Sequence, residues 1–303
     1  MKAEEAIQKP DPKRKFFFGL FLFPLLIAIG MAALLCTVVF LTHEEETPET
    51  LITAIKTGSP SKRWQKAFEL SNELNRRPGM IREKGVMKEI VHILSDPDHY
   101  DAKTRSYMAL ALSRFREPEA LAALRSSLKE EEAAVQLYVI WALGNLGARE
   151  ARDELIPFLA HENSDLRKVA AYVLGVLGDK KAVAELRPLL NDPVADVSWN
   201  AALALARLGD DSGWAVLTKM LDRSALALND SMSKDEIEKV MTNAIKGLAG
   251  LGRPETFPLL ESLAQTDESL KVRQAALEAI RYQKGGVSRR LVPPPQSEES
   301  LHA

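Results

Sequence analysis

Three Leu-Gly pairs, Leu146-Gly147, Leu177-Gly178 and Leu208-Gly209, recur at an interval of 31 residues, and each closes an apolar stretch of helical period. A fixed period of this size marks a stacked repeat, in which each unit buries its apolar face only against its neighbours. Written under one another, residues 104–134, 135–165, 166–196 and, after a longer unit, 240–270 share one pattern. Val135, Leu166, Val197 and Val240 open a helix, and Leu146, Leu177, Leu208 and Leu251 end it before Gly147, Gly178, Gly209 and Gly252. Glycine suits that place because a helix C-terminus favours a left-handed residue. A short turn and a second apolar stretch follow, at 151–159, 182–190, 214–221 and 256–263, so the unit is a helical hairpin.

The pattern weakens towards both ends. Lys62-Arg63-Trp64-Gln65-Lys66-Ala67 resembles Leu166-Arg167-Lys168-Val169-Ala170-Ala171, with residues 80–94 as its partner helix, and Val272-Arg273-Gln274-Ala275-Ala276-Leu277 restarts the pattern before it fades at 282–286. Strand-like alternation is absent and aromatics are only 6% of residues, so aliphatic helix packing accounts for nearly the whole chain. The expected fold is all-α, a solenoid of about seven hairpins, within a repeat domain at 43–284. Residues 285–303, with Pro293-Pro294-Pro295 and Ser297-Glu298-Glu299-Ser300, read as a disordered tail.

The segment Asp165-Leu166-Arg167-Lys168-Val169-Ala170-Ala171-Tyr172-Val173-Leu174-Gly175-Val176-Leu177-Gly178-Asp179 resembles the bacterial HEAT-like repeats first named for phycobilisome lyases. That family includes tetrapyrrole lyases, metal-dependent hydroxylases and pure scaffolds, so the resemblance implies a fold and leaves function open.

Residues 16–41 carry no charge over 26 positions, enough for a helix of about 39 Å against a hydrocarbon core of about 30 Å. A transmembrane helix at 16–42 is expected. A cleaved signal would have a shorter apolar region, and Leu34 and Leu35 before Cys36 do not suit a lipoprotein anchor. Lys13, Arg14 and Lys15 precede the span and His43-Glu44-Glu45-Glu46 follows it, which places residues 1–15 in the cytoplasm and the repeats outside it, in the periplasm of a cell with two membranes. The first 42 residues hold five basic and three acidic groups, a net of +2, so the rest carries −4 of the total −2. That argues against a nucleic-acid groove.

On a helical wheel Leu166, Val169, Ala170, Val173, Leu174 and Leu177 form one stripe, with Lys168, Tyr172 and Gly175 opposite. The opposite slots of successive repeats read Trp64 and Phe68, Ser106 and Leu110, Leu137 and Trp141, Lys168 and Tyr172, then Trp199 and Leu203. Apolar and aromatic groups thus stand where water is expected. Two readings are open: an exposed, concave protein-binding groove, or side chains that tuck against neighbouring repeats. Polar Thr242 and Lys246, and Gln274 and Glu278, in the same slots near the C-terminal end favour the groove. Its expected partner-binding residues are Trp64, Phe68, Leu110, Leu137, Trp141, Lys168, Tyr172, Trp199 and Leu203.

Residues 224–235 form an insertion with a turn at Asn229-Asp230-Ser231, which reads as a surface loop. Chemical motifs are sparse. No two of His43, His92, His99, His161 and His302 stand at i, i+4 spacing, and the hydroxylase branch's His-Glu pairs are replaced by Leu137-Tyr138, Lys168-Val169 and Trp199-Asn200. His161-Glu162 lies between repeats, and Asp96, Asp98, His99 and Asp101 read as a solvated turn. No cofactor, metal or catalytic residue is expected. The sequence describes a membrane-anchored scaffold for a protein partner in a membrane or periplasmic assembly; a tetrapyrrole-linked lyase or chaperone is the alternative, with Trp64, Trp141, Tyr172 and Trp199 available to stack on a pigment.

Overall fold

The computed structural model describes residues 22–42, 47–76, 84–228 and 232–285. The chain divides into two units, Met1–Thr47 and Pro48–Ala303. Within the first, α1 (Phe23–Thr42) has 20 residues, apolar around its whole circumference and without a charge. Its described side chains stand exposed, Leu34 by 66%. Among the described residues no helix is long and apolar enough to cross a membrane. The expected transmembrane helix is therefore not found there: residues 16–21 lie outside the described part, and side chains within α1 are described only to Val38.

The second unit is all-helical among the described residues. Its helices are α2 (Pro48–Thr57), α3 (Pro60–Arg76), α4 (Lys84–Leu94), α5 (Ala102–Leu112), α6 (Pro118–Ser127), α7 (Ala133–Leu146), α8 (Arg152–Leu155), α9 (Ser164–Leu177), α10 (Val183–Leu186) and α11 (Ala195–Arg207). After these come α12 (Trp214–Lys219), α13 (Arg223–Ala227), α14 (Lys234–Leu251), α15 (Thr256–Thr266) and α16 (Leu270–Gly285). They stack in two layers. One layer is the row α3, α5, α7, α9, α11, α14 and α16, each packed on the next; the other holds α2, α4, α6, α8, α10, α12 and α15. Most second-layer helices pack chiefly on the first-layer helix that follows them, so the structural hairpin begins half a unit later than the Leu-Gly spacing suggests.

Glycine sets the joints of the stack in two ways. Gly147, Gly178, Gly209 and Gly252 have φ of 68°, 72°, 78° and 65°, the left-handed conformation expected where each first-layer helix stops. Gly144 and Gly175, one period apart, allow close approach: a Cβ on Gly144 would stand 2.9 Å from Val173 Cγ2, and one on Gly175 would stand 2.6 Å from Ala204 Cα and Cβ. Helix α9 is thus pressed against both of its neighbours in the row, α7 and α11.

The second apolar stretch is a helix of changed pitch. Short α8 and α10 are flanked by 3₁₀ turns, Arg149–Ala151 and Ile156–Ala160 around the first, Lys180–Ala182 and Arg187–Asn191 around the second. Pro157 and Pro188 stand at the start of the trailing turns, where a missing N–H prevents continuation of the α-helical bonding.

Arginine–carboxylate pairs join one unit to the next. Arg167 donates from Nε to Asp192 Oδ2 at 2.8 Å and from Nη2 to Oδ1 at 3.0 Å, and its Nη1 also reaches the carbonyls of His161 and Glu162. Arg105 meets Glu130 at 2.9 Å, Arg152 meets Asp179 at 2.5 Å, and Arg223 meets Asp267 at 2.7 Å. In the insertion, Ser233 and Glu236 form a capping box that starts α14; Asn229-Asp230-Ser231 lie outside the described residues, as do 1–15 and 286–303.

Candidate interaction surface

The first-layer helices bring several residues of the sequence-predicted band into contact across successive repeats. Phe68 of α3 meets Tyr107 of α5 edge-on with centroids 5.3 Å apart, and Tyr107 meets Tyr138 of α7 at 5.8 Å. Trp141 of α7 stacks on Tyr172 of α9 at 5.2 Å and 16°, and the guanidinium of Arg207 at the end of α11 lies 5.0 Å from the Tyr172 ring centre. At the N-terminal end Lys103 Nζ sits 3.4 Å above the ring of Trp64, and further along the chain Arg253 covers Trp214 at 4.9 Å. Rings and cations at roughly these separations attract through the ring quadrupole as well as by buried area.

These contacts correct the expectation of an open apolar band. Leu110, Trp141 and Leu203 are buried, Trp141 at 6% exposure, while Trp64, Phe68, Leu137, Lys168, Tyr172 and Trp199 are half-buried; none of the nine is exposed. The side chains tuck against the next repeat, which was the second reading of the pattern. A helical wheel has one buried side, but a first-layer helix touches two neighbours in its own row as well as the second layer. Large groups opposite the main stripe therefore fill space between repeats. Burial also pushes the Tyr172 phenol up to about 12, with the nearby charge of Arg207 opposing the shift.

Tyr107, Tyr138, Lys103 and Arg207 belong to this surface and were missed by the slot comparison. Tyr107 and Tyr138 are one 31-residue period apart, so extending the comparison one position along each helix would have found them. Arg207 carries no such signal, because the preceding slot holds Val176.

The polar clusters of the loops are committed to local structure. Asp101 caps α5 by accepting from the Thr104 N–H at 3.0 Å, and Asp96 lies 2.9 Å from His99 Nδ1, a contact that holds its carboxyl below the usual carboxylate range. His161 Nδ1 accepts from the Asn163 N–H at 3.0 Å. Among the described residues no group of three or more His, Cys, Asp or Glu side chains is placed to hold a metal ion.

The HEAT repeats family matches residues 87–163 and 152–229. Residues 87–229 of the chain carry HEAT repeats. Among solved structures, this solenoid is similar to the CpcE–CpcF complex of phycocyanin lyase from a Nostoc species, at 18% identity and a TM-score of 0.55 over 82% of this chain and 91% of that one. It also matches human deoxyhypusine hydroxylase, at 16% identity and a TM-score of 0.34 over 78% of this chain and 96% of that one. A designed armadillo repeat protein matches at 19% identity and a TM-score of 0.38, over 78% of this chain and 100% of that one. The first likeness is one of fold, and the two lower scores carry no argument. No curated protein matches the sequence.

Proposed function

We propose that this HEAT-like protein is a non-catalytic scaffold, held at a membrane by its N-terminal helix, which binds a protein partner along the first-layer surface. The observation that carries the reading is the row of half-buried aromatic groups across successive repeats, Trp64, Phe68, Tyr172 and Trp199, each fixed by a neighbour or by the stack yet retaining an accessible edge. Rigid aromatic edges supply contact area at low entropic cost, which suits protein recognition. Leu110, Trp141 and Leu203 underlie that surface and support it by packing.

Membrane attachment rests on the sequence, where residues 16–41 carry no charge over 26 positions. With Lys13, Arg14 and Lys15 before it, the repeats would lie outside the cytoplasm. Anchoring raises the effective concentration of partners at the membrane surface, so modest affinity suffices for occupancy.

The test is a crosslinking pulldown of the full chain from its native membranes, beside a Trp64→Ala, Trp199→Ala double variant of unchanged helicity. One complex captured by the parent and lost from the variant supports the scaffold; equal capture by both contradicts this surface. The tetrapyrrole-linked alternative predicts visible absorbance in the purified protein.

A further inference from the structure

The half-buried Arg207 has an unusual combination of contacts within the stack. Its Nη1 is closed off from solvent and makes no hydrogen bond, and Nε and Nη2, which make none either, are not closed off. Arg105, Arg152, Arg167 and Arg223, also withdrawn from solvent, each meet a carboxylate. Arg273 likewise has a closed-off Nε without an acceptor, but among the described residues no ring supports it. Arg207 instead lies against Tyr172, whose ring is stacked on Trp141. The pile Trp141–Tyr172–Arg207 holds a planar guanidinium in place and provides no anion for it.

We infer that Arg207, supported by Tyr172 and Trp141, is the anchor for a glutamate or aspartate side chain of the protein partner, taken up in a bidentate pair on its Nε and Nη2 edge. The inference rests on the scaffold reading and names the chemistry of the bound segment. A guanidinium fork matches a carboxylate in geometry, and a preorganised one loses little freedom on pairing. One guanidinium offers a single positive charge, which suits a singly charged carboxylate better than a doubly charged phosphate, and Lys168 on the adjoining α9 already lies 3.5 Å from Asp165. The half-buried ring of Tyr172 suits an aliphatic residue beside the acid in the same segment. Because a stacked cation is partly desolvated, its pairing with an anion is stronger than that of a freely hydrated surface arginine.

The experiment uses the full chain in detergent and fluorescence anisotropy with two pools of labelled nonapeptides. The pools share randomised neutral and apolar positions and differ only in a fixed central Glu or Gln. The parent should bind the Glu pool about tenfold more tightly than the Gln pool, Arg207→Met should remove that difference, and Tyr172→Phe, which keeps the ring, should retain it. On the parent alone, acetate should displace the Glu pool better than chloride at equal ionic strength, a readout independent of any variant's folding. The inference is overturned by equal binding of both pools, by binding of neither, by a preference that survives in Arg207→Met, or by inorganic phosphate displacing the pool far better than acetate. Equal binding would sink the anchor and leave the scaffold standing, since the native-membrane pulldown tests the latter separately.

Discussion

Trp141 and Tyr172, one 31-residue period apart, lie face to face with ring centroids 5.2 Å apart and planes inclined by 16°. The same slot of two successive repeats is thus in direct contact with itself across the repeat interface. Truncating the buried member should be costly. Trp141→Ala is expected to lose about 3–5 kcal/mol, whereas the half-buried Trp64→Ala should lose distinctly less. Urea unfolding followed by far-UV circular dichroism measures both, and equal losses would show that the two sites are equally packed.

Close approach between first-layer helices gives a second prediction. A Cβ on Gly175 would meet the Ala204 backbone, so Gly175→Ala should force α9 and α11 apart and destabilise by about 1–3 kcal/mol. Gly147→Ala, in open space at φ 68°, should cost about 1 kcal/mol through backbone strain alone. The shift in thermal midpoint should rank the two in that order.

The Arg167–Asp192 pair predicts a pH dependence. The hydrogen bond from Arg167 holds the Asp192 carboxyl below the usual carboxylate range. A depressed folded-state value means that the stabilisation is fully present above the unfolded value of about 3.9 and is lost as pH falls through the folded one. Asp192→Asn should therefore lose about 1.5–3 kcal/mol at neutral pH, the scale of hydrogen bonds to a charged group, and the gap to the parent should narrow towards pH 2. Paired urea titrations at the two pH values check this; a constant gap would contradict it.

The four Leu-Gly joints made the period legible, and the left-handed glycines stand where the sequence expected them. Among the described residues seven first-layer and seven second-layer helices, with short α13 besides, agree with the expected number of hairpins, although their pairing is shifted in phase. Less legible was which residues face water. The pattern at Leu137, Trp141, Lys168 and Tyr172 encodes sideways packing between repeats, and a single helix contains no information about its neighbours in the row. Pro157 and Pro188 were a readable sign of the 3₁₀ turns, because proline cannot donate to the preceding helical turn. Arg207 was not legible for a different reason: the ring it lies against belongs to the preceding repeat.

The most direct measurement is site-specific photocrosslinking in native membranes, with a benzophenone side chain placed at Lys168 of the first layer or at the exposed Glu185 of the second. A discrete adduct with another protein is expected from position 168 and none from position 185. Equal adducts from both layers, or adducts only between copies of this chain, would contradict a partner-binding first-layer surface.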